Sequence, residues 1–389
     1  MPHGQKGSIS SLKDVIIDER FRILNRLGGG SFGEVYKGVN VLTGEHVAIK
    51  LEVTKSNSRA LLEYKIYSYL NECAVVVGIP SAYYGGRVGD YNAIVMDLLG
   101  PNLEDLFNVC GRKFGTKTVC MIGIQIIQRL QYMHGMHYIH RDIKPENFVM
   151  GMDGNSHTVY VVDMGLAKRY RDPATLQHIP WEEKKALTGT ARYVSINTHR
   201  GFQQSRRDDM ESMTYLLLYF LLGDLPWQGM KLKPDDRQYE HICEKKAASS
   251  PEMLTRGFPI QFARILQYAR NLQFEETPDY SYCVRQLHEA LASLGETCDY
   301  QYPWLAKLDP HGTEGQSETD SLDEDVGAHA RLSTIGGPRK RTSTNATQCR
   351  TLTVDDLNDV PDKSGCMETS SNEAPLTGLF EDYGFDIFF

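Results

Sequence analysis

Paired cysteines are what this chain most plainly lacks. Its eight cysteines (Cys73, Cys110, Cys120, Cys243, Cys283, Cys298, Cys349 and Cys366) are scattered, with no C-x-x-C pair. That argues against a zinc site and a disulfide framework, and for reduced thiols in a cytosolic setting. Long apolar runs are missing too. The most apolar stretch, Tyr215 to Leu222, falls far short of the roughly 20 residues a membrane helix requires. It reads instead as a buried helix. The opening MPHGQKGSISSLK has no apolar core to act as a secretory signal. Nor does one sign of charge dominate the body of the chain. Of a net −8, about −9 lies between His311 and Phe389, which leaves about +1 for everything before it. A near-neutral body gives no general reason to expect nucleic-acid binding.

What is present divides into three blocks. With 389 residues, 41% of them hydrophobic, the chain can fill one large two-lobed domain or two ordinary ones. From Phe21 to Leu98 the pattern favours strands, with Phe21–Leu27, Gly33–Val39 and His46–Val53 rich in Val, Ile and aromatics. Thr43-Gly44 suits the tight turn between the second and third. One helix interrupts them over Ser58–Leu70, its stripe formed by Leu61, Leu62, Lys65, Ile66 and Tyr69 and its N-cap by Ser58. From Asn102 to Lys307 the character is helical. Thr118–His134 and Asp208–Leu222 are long apolar-rich segments, and Pro226-Trp227 ends the second. The short segment Met96-Asp97-Leu98-Leu99-Gly100 joins the two halves, so a cleft between two lobes is expected there. From Asp309 onward the chain is Ser/Thr-, Gly- and acid-rich and is expected to be disordered.

The chemistry lies in four motifs. Gly28-Gly29-Gly30-Ser31-Phe32-Gly33-Glu34-Val35 falls between two strands, where glycines let a hairpin fold over phosphates with N–H groups turned to the oxygens. G-x-G-x-x-G is shared with dinucleotide-binding folds, but here a strand rather than a helix follows. Val47-Ala48-Ile49-Lys50 turns Lys50 to the same face as Ala48, toward the cleft, where it can pair with α- and β-phosphates. Glu63 on the helix is the acidic partner to hold it. His140-Arg141-Asp142-Ile143-Lys144-Pro145-Glu146-Asn147 supplies a carboxylate, Asp142, to take a hydroxyl proton and a lysine, Lys144, to steady a phosphate. Asn147 and Asp163 of Asp163-Met164-Gly165 suit Mg²⁺. His134, His137 and His140 are spaced by three, but no acidic or cysteine partner completes a metal set, and a structural role is expected.

In this order the set resembles a eukaryotic protein kinase, and more narrowly the casein kinase I family. The narrower resemblance rests on Leu99-Gly100-Pro101-Asn102-Leu103-Glu104-Asp105-Leu106-Phe107, His178-Ile179-Pro180 and Leu187-Thr188-Gly189-Thr190-Ala191-Arg192-Tyr193. Ser205-Arg206-Arg207-Asp208-Asp209 and Leu225-Pro226-Trp227-Gln228-Gly229 match as well. So does Ser195-Ile196-Asn197-Thr198-His199, which stands where most kinases carry Ala-Pro-Glu. The resemblance spans residues 21–304. It implies an α+β, two-lobed kinase-like fold, with a small antiparallel sheet and one main helix in the N-lobe (21–97) and a larger, mainly helical C-lobe (98–308). Residues 1–20 would be an extension and 309–389 an acidic, disordered regulatory tail.

The resemblance further implies an ATP- and Mg-dependent Ser/Thr protein kinase, catalysing with Asp142, Lys144, Lys50 and Glu63. Leu27, Gly28, Gly29, Gly30, Ser31, Phe32, Gly33, Val35, Ala48, Lys50, Met96, Asp97 and Leu99 would hold the nucleotide, with Met96 at the gate of the adenine pocket and Asp97 and Leu99 as hinge contacts. Asp209 would brace the catalytic loop. Substrates would be proteins with a phosphorylated or acidic residue three positions before the target, read by Arg192, Lys185, Lys168 and the backbone of Gly229. An Arg fork is a natural receptor for phosphate.

Three departures stand out. Met164 replaces the usual Phe, and a flexible thioether can fill the same apolar slot. Glu146 stands where the family has Asp. In Lys231-Leu232-Lys233-Pro234-Asp235-Asp236-Arg237-Gln238, two acids intrude on a basic run and Gln238 takes the place of a phosphate-holding lysine, so preference for primed sites is expected to be weaker. Thr175, Thr188 and Thr190 lie in the loop before Asn197, yet activity without loop phosphorylation is expected. The tail's seventeen Ser or Thr residues include Ser317, Thr319 and Ser321 beside acids. They are expected to be autophosphorylated and to restrain activity by docking on the Arg192 surface. Pro338-Arg339-Lys340-Arg341 reads first as a solvated basic cluster and second as a nuclear-import signal beside a cytoplasmic address, and Leu379 to Phe389 suits either a docking motif for a partner or back-folding onto the kinase. A monomer is the default. The competing reading is a kinase-fold scaffold that transfers no phosphate, with Met164 and Glu146 its only foothold.

Overall fold

The computed structural model describes residues 12–30, 33–54, 58–72, 76–229 and 238–305. Ser31, Phe32, the Lys231–Arg237 run, the side chain of Gln238 and the whole tail with its motifs lie outside the described residues.

Alternation builds the first half. Strands β1 (Ile16–Ile17), β2 (Phe21–Gly30), β3 (Gly33–Asn40), β4 (His46–Val53), β5 (Ala82–Val88) and β6 (Tyr91–Asp97) form an antiparallel sheet in the order β1-β2-β3-β4-β6-β5. Along β4, Val47, Ile49 and Leu51 enter a small core with Phe21, Ile23, Tyr36 and Val95. Ala48 and Lys50 therefore face the other way, as the two-residue period of a strand dictates. The segment before Phe21, read from sequence as an extension, contributes to the sheet: Ile16 and Ile17 pair with Arg22 and Phe21, and Ile17 is buried in the same core.

The helix α1 (Arg59–Leu70) begins where Ser58 Oγ accepts the N–H of Leu61 at 3.3 Å. Glu52, at the end of β4, accepts from both the Ser58 hydroxyl (2.8 Å) and the Ala60 N–H (3.1 Å), a carboxylate placed at the positive end of the helix. The buried face is Ala60, Glu63, Ile66, Tyr67 and Leu70. This corrects the expected stripe. Leu61, Leu62, Lys65 and Tyr69 are only half-buried, because an apolar period gives no weight to a carboxylate whose partner lies on another element.

The second half is helical. Its helices are α2 (Leu103–Val109), α3 (Thr116–Gly135), α4 (Ile196–His199), α5 (Arg206–Leu222), α6 (Gln238–Ala248), α7 (Pro251–Leu254), α8 (Ile260–Asn271) and α9 (Tyr280–Ser293). Short strands β7 (Tyr138–Ile139), β8 (Phe148–Met150), β9 (Val159–Val161) and β10 (Lys168–Arg169) pair as β8 with β9 and β10 with β7. They frame the loops that carry chemistry. Helix α5 is buried nearly all round, with Tyr215 to Phe220 sealed from solvent, as its unbroken apolar run requires. It ends at Leu222, the expected last residue, and Gly223 at φ +90°, a conformation that suits glycine, caps it ahead of Pro226-Trp227. Phe107, Phe114, Phe220 and Trp304 stack edge to face or tilted, 5.0 to 5.2 Å apart, and tie the end of the described chain to α2 and α5. Among the described residues no helix is long and apolar enough to cross a membrane.

Candidate active site

Lys50 leaves the inner face of β4 and meets Glu63 of α1 at 2.5 Å and Asp163 at 3.5 Å. Burial alone would lower the lysine's pKa, but the two carboxylates outweigh it and hold the ammonium above its ordinary value. Asp163 sits at φ +65°. Burial pushes its carboxyl up, yet Lys50 chiefly, with His140 and the Gly165 N–H, brings it below the usual carboxylate range. Tyr67 closes the group: its oxygen accepts the Asp163 N–H at 3.0 Å while its hydroxyl faces Glu63. Glu63 also takes the N–H of Met164. The Met164 side chain is fully buried in the main core, so the thioether fills the apolar slot.

Below this lies the loop between β7 and β8. Asp142 is buried, and its Oδ2 accepts from Lys144 Nζ at 2.6 Å. Its Oδ1 accepts from the Thr190 hydroxyl at 2.8 Å. Asn147 Nδ2 donates to the Asp142 carbonyl (2.9 Å) and toward its carboxylate (3.3 Å). The loop is fixed by Asp209, the fourth residue of α5. That carboxylate accepts the N–H of His140 (2.7 Å), the N–H of Arg141 (2.9 Å) and Nε2 of His134 (2.9 Å). Burial raises Asp209, but the His134 hydrogen bond leads a set of donors that brings it below the ordinary value. Burial keeps His134 neutral, with its Nδ1 accepting from the Tyr280 hydroxyl at 2.7 Å.

All three histidines of the spaced set are thus structural. His140 Nε2 donates to the Val162 carbonyl and its Nδ1 accepts the Asp142 N–H, while His137 Nδ1 accepts from Arg171. Among the described residues no cluster of three or more His, Cys, Asp or Glu could hold a metal by itself. A hard divalent cation still fits the donors that remain. Asn147 spends its Nδ2 on Asp142 and Asp163 spends its Oδ1 on Gly165 and Lys50. One oxygen of each is left without a hydrogen bond among the described residues, and phosphate oxygens would complete such a site.

The glycine segment closes as an antiparallel pair, Gly29 opposite Glu34 and Gly30 opposite Gly33, beneath which Val35 stands opposite Lys50. Met96 faces Ala48 across the sheet and is buried. Asp97 accepts the Ser81 N–H and the Tyr83 hydroxyl, and the Leu99 backbone carries no hydrogen bond among the described residues. Leu27 is exposed at the mouth. A family model described as Protein kinase domain matches residues 21–280. The chain belongs to the protein kinase domain family. Kinase-type phosphotransfer to protein substrates follows, with ATP and a divalent metal in general use.

The four residues expected to read an anion have different immediate surroundings. Lys168 and Lys185 line a cavity of about 380 Å³ with Arg141, between α1 and the segment after Gly165. Lys185 pairs there with Glu182. Arg192 and Gly229 are not among its walls. Arg192 lies over Tyr193 and Tyr219, both 5.6 Å away, and makes no ion pair among the described residues. Ser195-Ile196 replaces Ala-Pro-Glu with hydrogen bonds: Ser195 Oγ donates to Asp208 at 2.5 Å, and the Ile196 N–H donates to Glu211 at 3.0 Å. Gly189 has φ +99°, and a Cβ there would lie 2.4 Å from the Arg141 carbonyl, so only glycine lets this segment approach the catalytic loop. Glu146 is exposed.

Sequence reading missed Tyr67 and the contact of Thr190. Tyr67 follows Glu63 by four residues, and that same-face spacing was the available signal. Tyr67→Phe leaves the Asp163 N–H unpaired, a cost of about 1–3 kcal/mol. Steady-state assays should show kcat reduced roughly tenfold with the fold intact by circular dichroism. Asp209 adds a pH signature. Its folded pKa is depressed, so its stabilising contribution is present above the unfolded value of about 4 and is lost as pH falls through the folded value. Thermal melts from pH 6 down to pH 3 (about the range bracketing that value) should fall more steeply for wild type than for Asp209→Asn.

Proposed function

We propose that this kinase is a serine/threonine protein kinase of casein kinase I type, using Mg-ATP on acidic or phosphate-primed protein substrates. The observation that carries the reading is the carboxylate of Asp142, buried, with Lys144 on one oxygen and a threonine hydroxyl on the other. Thr190 demonstrates that an aliphatic hydroxyl on a main chain reaches this base at hydrogen-bonding distance. Oδ1 keeps a second lone pair for a substrate hydroxyl, whereas Oδ2 is shared by Lys144 and Asn147.

Asp142 orients that hydroxyl and takes its proton as the oxygen bonds to phosphorus and the bond to the leaving oxygen breaks. Lys144 balances the charge beside it, and Lys50, fixed by Glu63, aligns the phosphates. Bound Mg-ATP supplies the γ-phosphoryl group and the metal's charge; Asn147 and Asp163 would hold the metal. The anion reader is centred on Arg192 and the Gly229 backbone, with Arg141, Lys168 and Lys185 forming a second cationic place. A cytoplasmic enzyme with reduced thiols completes the reading: no disulfide joins the described cysteines, and burial pushes Cys120 and Cys283 up to about 12, which keeps them unreactive.

The test is phosphate transfer from Mg-ATP to paired peptides carrying Ser, Thr or Tyr, followed by mass spectrometry. Wild type should modify Ser and Thr, and Asp142→Asn should be slower by roughly 10²–10⁴-fold. Transfer to Tyr alone, or equal transfer by both proteins, contradicts the proposal.

A further inference from the structure

Arg192 sits in a five-residue stretch held at both ends. At one end Thr190 hydrogen-bonds the catalytic carboxylate of Asp142. At the other the main-chain carbonyls are taken up by side chains from outside the stretch. Lys246 Nζ, from α6, donates to the Ala191 carbonyl at 2.9 Å and to the Val194 carbonyl at 2.6 Å. Trp227 Nε1 donates to the Arg192 carbonyl between them at 2.8 Å. We infer that Lys246 is a positioning residue: it fixes the main chain on both sides of Arg192 and so sets how well that guanidinium meets an anion on the substrate. The inference rests on the proposed anion-reading role of Arg192.

The geometry is unusual for a lysine, which ordinarily keeps its charge in water. Lys246 has no exposed surface. Its amine lies 4.9 Å from the ring centre of Tyr215 and 5.3 Å from that of Trp227, an aromatic wall that tolerates a cation. The third neighbour is His199 Nε2, 3.2 Å away on α4. Burial pushes Lys246 down to about 7 against the pull of Glu211, and pushes His199 down to about 4. The grip survives either protonation state of the lysine. A neutral amine retains two N–H donors for the two carbonyls, and the ammonium turns its third donor to the neutral imidazole.

An apolar side chain would fill this slot without the desolvation cost of an amine. Among the described residues the polar head makes its hydrogen bonds only to the Arg192 stretch and to His199, which itself lies 3.2 Å from the Ala191 carbonyl. Packing alone does not account for that. With Thr190 tied to Asp142 and Arg192 tied through Lys246 and Trp227, the anion reader is held at a fixed register from the base. That register is what a rule about a residue three positions before the target requires.

The experiment uses the full chain and two Ser peptides that differ only three positions before the Ser, Glu in one and Ala in the other. Wild type, Lys246→Met and Trp227→Phe are compared for kcat, peptide KM, ATP KM and melting temperature. Met keeps the length of the stem and removes the donors; Phe keeps a ring and removes only Nε1–H. In Lys246→Met the KM for the acidic peptide should rise about tenfold, the effect of losing one to two hydrogen bonds. ATP KM and the KM for the neutral peptide should move less than about twofold. Trp227→Phe should shift the acidic KM the same way by about threefold, and it decides the matter if Lys246→Met fails to fold. Variants that keep the wild-type preference for the acidic peptide overturn the positioning role while leaving the anion reader intact. A parallel loss in kcat and every KM, with a lower melting temperature, marks a merely structural residue and also overturns it. Wild type that treats the two peptides alike refutes the anion reader itself, and the positioning role falls with it.

Discussion

One buried carboxylate carries the catalytic loop. Asp209 projects from the first turn of a helix that is sealed in the core, and its two oxygens take the amides of His140 and Arg141 and the ring of His134. Asp142, the second residue after His140, carries the chemistry, and Arg141 between them has a positive φ of 69°, which a free loop would not favour. A carboxylate with charge-assisted bonds to consecutive amides supplies the compensation. Everything downstream, from the Asp142 carboxylate to the Thr190 contact, inherits its position from that anchor.

The second element is an imbalance of charge. Lys50 answers two carboxylates, Glu63 and Asp163, and Lys144 answers Asp142, so three anions face two cations in one buried region. Such a site stays stable only if the excess negative charge meets hydrogen bonds or a cation. The hydrogen bonds are present on Asp163 and Glu63, and the oxygens left over on Asp163 and Asn147 are suited to a divalent ion. The pairing with Lys50 explains why α1 buries a glutamate in its packed face.

Much of this was legible in the residues. Strand alternation in Val47-Ala48-Ile49-Lys50 placed Lys50 on the inner face, and the order of the four motifs named the chemistry before any contact was known. The parts that were not legible share one cause. Lys246, Thr190 and Tyr67 act through partners 48 to 96 residues away in the chain and on other elements, and no local period encodes that. A lysine reads as a surface residue, and a threonine in a loop reads as a phosphorylation site. The same holds for the contacts of the cationic residues: Lys168 and Lys185 share a cavity with Arg141, and Arg192 rests on Tyr193 and Tyr219, which spacing does not encode. The end of α5 at Leu222 was legible, although the glycine that follows, at φ +90°, caps the helix three residues before the proline.

The claim that Asp209 suspends the catalytic loop is tested most directly by amide hydrogen exchange at His140 and Arg141, in wild type and Asp209→Ala, with the β6 amides as an internal reference. The account predicts strong protection of both amides in wild type and exchange at least tenfold faster in the variant, while β6 is unchanged. Equal protection of the two amides in both proteins would contradict it.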